Sequence, residues 1–166
     1  MADHDASALS PSDAAVAMAT WPRRYRSAFA PFLDDDLGEW AARMGPDGIS
    51  ALDLAVNSVR TWILLERALH DIRLNDSPTL HPAVAQASAR HWDTTGSETL
   101  ETVLDQIDDV AASFAEVIAA TPATDWLRTA SVAGGGTLTA LDVVHEAVRV
   151  GADNLRAIDR TLAALR

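Results

Sequence analysis

The chain contains no cysteine and no lysine. Without cysteine there is no disulfide framework, no thiolate metal ligand and no thiol nucleophile, so thiol chemistry would have to come from a bound molecule. Without lysine, neither a Schiff base nor a phosphate-loop lysine is available. All 13 basic residues are arginines, set against 24 aspartates and glutamates, and the formal net charge is −11 at pH 7. On average such a surface repels phosphate backbones and anionic lipids, which argues against nucleic acid and membrane as partners. No run approaches the roughly eighteen apolar residues of a membrane-spanning helix. The opening MADHDASALSPSD is acidic and lacks the basic and apolar regions of a secretory signal. A cytoplasmic protein is expected.

What is present is enough apolar material for one core: 48% of 166 residues are hydrophobic, the size and composition of a single globular domain. Residues 1–12 are polar and without period and are expected to form a flexible tail; residues 13–166 are expected to form the domain. An alanine-rich segment predicts a helix near 12–30 that kinks or restarts at Pro22 and stops by Pro31. DDDLGEWAARM follows as a short turn or helix, closed by Gly45-Pro46-Asp47-Gly48. Ser50 with Asp53 three residues on is an acidic variant of the capping box, opening a helix. That helix carries Leu52, Val56, Val59, Ile63, Leu65 and Leu69 and is expected to be the most central.

A long connection with two prolines comes next, with room for one short helix. Thr95 and Glu98 form a second capping box ahead of an amphipathic helix of about six turns, with Leu100, Val103, Leu104, Ile107, Val110 and Phe114 on one stripe. Pro122 ends it, and Gly134, Gly135 and Gly136 mark a tight turn or a hairpin-like excursion. The last helix begins near Thr139, with Asp142 three residues on and Leu141, Val144, Val148, Ala152, Leu155 and Leu162 turned inward. No alternation of period two competes anywhere. The expectation is an all-α protein: an antiparallel four-helix bundle with a long crossover between its second and third helices.

SALDLAVNSVR, LNDSPTL and the ending DW-R-(glycines)-TLTALDVVHEAVRVGADNL, taken in this order, resemble the DinB/YfiT-like family of four-helix bundles, which includes the N-terminal domain of mycothiol-dependent maleylpyruvate isomerases. The resemblance covers roughly residues 15–165 and rests on a pattern of helices with short motifs. It implies a divalent zinc or nickel held by one residue of the second helix and an i, i+4 pair on the last, leaving a position open for water or substrate. It also implies a homodimer and, in active relatives, transfer or isomerisation with a low-molecular-weight thiol such as mycothiol. Carried onto this chain, the ligand positions fall on Asn57, His145 and Arg149, or on Arg149 and Asp153 if the register shifts by a turn.

Arginine offers no lone pair and places a permanent cation where the ion would sit. A degenerate, metal-free site is therefore expected, with Asn57, Arg149 and Asp153 as ligand-binding residues and His145 as the one candidate general base. Three readings of the stripe at 145, 149 and 153 stay open: a site for a small molecule, the remnant of a metal site, or the solvated face of a helix with i, i+4 ion pairs. His70, His81 and His91 are irregularly spaced and form no recognisable ligand set, and Trp62 and Trp126 are expected as core or rim anchors.

Overall fold

Serine and threonine set the starts of the long helices. In a computed structural model that describes residues 9–33, 38–90 and 98–165, α1 spans Pro11–Phe29, and its cap is Ser10, whose hydroxyl accepts from the Asp13 N–H. After α2, a single turn at Gly38–Ala41, α3 spans Ala51–Leu74 behind the expected Ser50–Asp53 capping box. The next helix, α4, spans Leu100–Ala119, and α5 spans Ala140–Ala164 behind a second reciprocal box of Thr139 and Asp142. Each box satisfies N–H groups that the first helical turn would otherwise leave unpaired.

The helices pack in a closed cycle: α3 lies against α5 and α4, and α1 lies against α4 and α5. Trp21, Tyr25, Phe29, Trp62 and Phe114 are the bulkiest fully buried side chains of the core they share. No helix among the described residues is long and apolar enough to cross a membrane.

Several expectations need correction. The chain is largely helical but not all-α. Strands β1 (Thr79–Leu80), β2 (Thr129–Val132) and β3 (Thr137–Thr139) form a small sheet in the order β1-β2-β3. Parallel pairs Thr79–Ser131 and Leu80–Val132 stitch the segment between α3 and α4 to an antiparallel β2–β3 hairpin. TASV does alternate, with Ala130 and Val132 inside and Thr129 and Ser131 outside. Four residues are at the lower limit of what period-two patterning resolves. The glycine triplet makes the hairpin turn, as Gly134, Gly135 and Gly136 all have positive φ, which residues with a Cβ rarely adopt.

Helix α1 runs unbroken through Pro22. An interior proline costs about 3 kcal/mol, while full burial of a large side chain returns about 1.5–3 kcal/mol; Trp21 and Tyr25, buried on either side of it, together offset that cost. The helix also claims the last two residues of the expected tail; residues 1–8 lie outside the described residues. At α4 the cap is Thr99, which accepts from the Thr102 N–H. Thr95 lies outside the described residues, and Glu98 binds Arg60 at 2.8 Å in place of a helix terminus. Ile63 is 41% exposed rather than inward, whereas Leu141 and Ala152 rest at the margin of the core.

Candidate functional site

The cap at Thr139 fixes the register of α5, which places His145, Arg149 and Asp153 one turn apart along one face. Arg149 is held there by three hydrogen bonds to two carboxylates. Its guanidinium donates from Nε to Glu146 Oε2 at 2.8 Å, from Nη2 to Glu146 Oε1 at 2.7 Å, and from Nη1 to Asp153 Oδ2 at 2.8 Å. Hydrogen bonding to Glu146, ahead of the charges of Glu146 and Asp153, holds Arg149 above the ordinary arginine range. Asp153 is shared with Arg156, whose Nη2 donates to Oδ1 at 2.7 Å.

Glu146 is the hub of this ladder, and it also receives a hydrogen bond from Arg90 Nη2 at 2.6 Å. Arg90 belongs to the connection between α3 and α4; its side chain is only 5% exposed and also donates to the carbonyls of Ala83 and Val84. The ladder therefore fastens the connection to α5. Neither Glu146 nor Arg90 stood out in the sequence, although the i, i+3 spacing of Glu146 and Arg149 was a readable signal.

His145 is half-buried, and its Nε2 lies 2.9 Å from the Leu9 carbonyl at the start of the described chain. A carbonyl accepts only, so the proton of the neutral ring sits on Nε2 and the remaining lone pair on Nδ1. Asn57 accepts through Oδ1 from the Thr61 hydroxyl at 3.1 Å within its own helix and is not hydrogen-bonded to His145. The three positions implied for a metal thus hold an amide bonded within its helix, an imidazole on a backbone carbonyl, and an arginine clamped by two carboxylates. This donor set does not fit a divalent ion. Among the described residues no three His, Cys, Asp or Glu side chains are grouped so as to hold one. His81 accepts from the Ala83 N–H through Nδ1 as a local cap, and His91 lies outside the described residues.

Next to the stripe, on the buried side, sequence reasoning missed a polar cluster where α1, α3 and α5 meet. Tyr25 Oη stands 2.7 Å from Ser58 Oγ and 3.2 Å from the Gly151 carbonyl, and Asn154 Nδ2 donates to Ser58 Oγ at 2.9 Å. Burial pushes the Tyr25 phenol well above its ordinary range, against a smaller lowering from the Ser58 hydrogen bond. Among the described residues no histidine or carboxylate bonds Ser58, whose partners are Tyr25, Asn154 and the Leu54 carbonyl, so the cluster is polar packing rather than an activated nucleophile. Trp62 anchors the same seam, donating from Nε1 to the Ala147 carbonyl at 2.9 Å.

Compared with models of known protein families and with curated proteins, the chain matches none.

Proposed function

We propose that the chain is a metal-free relative of the DinB/YfiT-like four-helix bundles that binds a small organic molecule along the seam of α3 and α5. Four long helices in a closed cycle, the long connection between α3 and α4, and the DW-R-(glycines)-TLTALDVVHEAVRVGADNL ending support the kinship. The observation that carries the metal-free reading is Arg149. It occupies a ligand position of the family with its guanidinium committed to Glu146 and Asp153. A cytoplasmic homodimer without resident zinc or nickel completes this reading.

The test is the metal content of the untagged protein together with zinc and nickel titrations followed by thermal midpoint, because a ligand that binds only the folded state raises it. No bound metal and no shift are expected. Stoichiometric metal, or a shift abolished by His145→Ala, would overturn the reading and turn attention to thiol transfer or isomerisation. A non-catalytic dimeric module is the second reading. It is favoured by Leu74 and Leu127, each 78% exposed and drawn to one end of the molecule by the Arg128 bond to the Ile72 carbonyl. Sedimentation of wild type against the Leu74→Ser/Leu127→Ser double variant reports on it directly, a dimer that dissociates in the variant being the result expected.

A further inference from the structure

One turn beyond the stripe, the seam of α3 and α5 opens into a cavity of about 270 Å³. Ala157, Arg160 and Thr161 line it from α5, Leu54 from α3, and Pro46, Asp47 and Ile49 from the loop between α2 and α3. That loop is pinned in place. The Gly45 N–H donates to the Ile49 carbonyl at 3.1 Å, the Gly48 N–H to the Gly45 carbonyl at 3.0 Å, and Met44 bridges to Ser50. Gly45 lies so close to α5 that a Cβ there would stand 2.7 Å from Thr161 Cγ2.

Two features of the lining point to a ligand. Asp47 and Arg160 bring opposite charges to one cavity, yet among the described residues no ion pair joins them and neither side chain has a hydrogen-bond partner. Thr161 is 91% buried, and its hydroxyl likewise has no hydrogen-bond partner among the described residues. The rest of the wall is apolar. Small-molecule sites generally combine such a wall with a few separated polar groups, and this volume lies just below the drug-sized range, at the scale of a single amino acid.

We propose that the cavity binds a zwitterionic α-amino acid with an aliphatic side chain. The carboxylate lies on the Arg160 guanidinium and the Thr161 hydroxyl, the ammonium on Asp47, and the side chain against Pro46, Ile49, Leu54 and Ala157. An arginine fork matches a carboxylate, and a molecule with one charge satisfies only half of this lining. The inference rests on the reading that the chain binds a small organic molecule; it adds the chemical class and the place.

Amide chemical shifts of the full isotope-labelled chain, titrated with L-leucine, isoamylamine and isocaproate, test it. Leucine is expected to shift amides around 46–54 and 157–161 and to bind about tenfold more tightly than either analogue, the scale of one lost charge-assisted contact. Arg160→Gln should lower leucine to the level of isoamylamine, and Asp47→Asn to the level of isocaproate; both side chains are exposed, so folding is not at stake. Silence at millimolar leucine, shifts centred on 145–153, or analogues that bind as well as leucine would overturn the proposal. A zinc titration of the same sample separates the two failures. Zinc shifts at His145 would sink the metal-free reading, whereas silence toward both zinc and leucine would sink the amino-acid site alone.

Discussion

Replacing Gly151 by alanine sets two effects of opposite sign against each other. In an open helix interior the change is favourable by about 0.5–1 kcal/mol, because glycine loses more backbone freedom on folding. Gly151, however, lies under the Trp21 indole, and a Cβ built on it would stand 2.6 Å from Cε2 and 2.8 Å from Nε1. Trp21 is 2% exposed and is backed by Tyr25 in an edge-to-face contact at 6.4 Å between ring centroids, so the indole has little room to retreat. Overpacking of this kind typically costs about 1–3 kcal/mol, and the close approach to a rigid ring puts this case at the upper end. The net expectation is a loss of about 2 kcal/mol, or a fall of about 4–8 °C in melting midpoint for a chain of this size. Urea unfolding of Gly151→Ala, Trp21→Phe and the double variant measures it, and the alanine should cost less once the indole is gone. A Gly151→Ala variant more stable than wild type would refute the packing argument.

The ladder on α5 should be unequal in its parts. Glu146→Gln leaves Arg90 nearly buried without its carboxylate and is expected to cost about 2–3 kcal/mol in urea unfolding, with faster proteolysis of the connection between α3 and α4. Arg149→Ala removes ion pairs from a side chain 49% exposed and should cost under about 1 kcal/mol by the same measurement. Tyr25 is the only tyrosine, so phenolate absorbance reports on it alone. Its folded pKa is raised, so its contribution to stability is intact below the unfolded value of 10.0 and falls as pH rises beyond it. The loss should be about 1.4 kcal/mol per pH unit, with phenolate appearing only on unfolding. The Asn57→His/Arg149→His double variant should still bind zinc poorly, as titration calorimetry will report, because His145 Nε2 keeps the Leu9 carbonyl and Glu146, though it loses Arg149, keeps Arg90.

Local chemistry made most of the helices legible. Ser50–Asp53 and Thr139–Asp142 are reciprocal caps that depend on residues three apart, and both stand in the structure as the sequence predicts. The cap of α4 was misread because Thr95–Glu98 has the same pattern, while burial of Leu100 decides the true start and Arg60 captures Glu98. The sheet was hidden because β1 finds its partner some fifty residues away in β2, a pairing that no local window contains. At the candidate site the spacing of 145, 149 and 153 is legible from the residues, but their partners are not. Arg90 and Leu9 are distant in the chain, and only the fold brings them to Glu146 and His145.

The spacing that lets two side chains of one helix grip a metal is also the spacing that lets an arginine and a carboxylate pair, so an i, i+4 stripe alone does not distinguish a site from a clamp. Burial and partners distinguish them. Arg90 is nearly sealed from solvent, and a charge there must be matched by a charge, which ties Glu146 to the connection between α3 and α4 whatever stands at position 149. With Glu146 so committed, an arginine at 149 fits as its second cation-bearing neighbour and neutralises both Glu146 and Asp153. A metal in the same place would compete with Arg90 for Glu146 and would leave a buried guanidinium half-satisfied. On the proposed kinship, an arginine at 149 and the ladder it completes go together, whereas the Asp47 and Arg160 charges at the proposed amino-acid cavity lie outside that ladder.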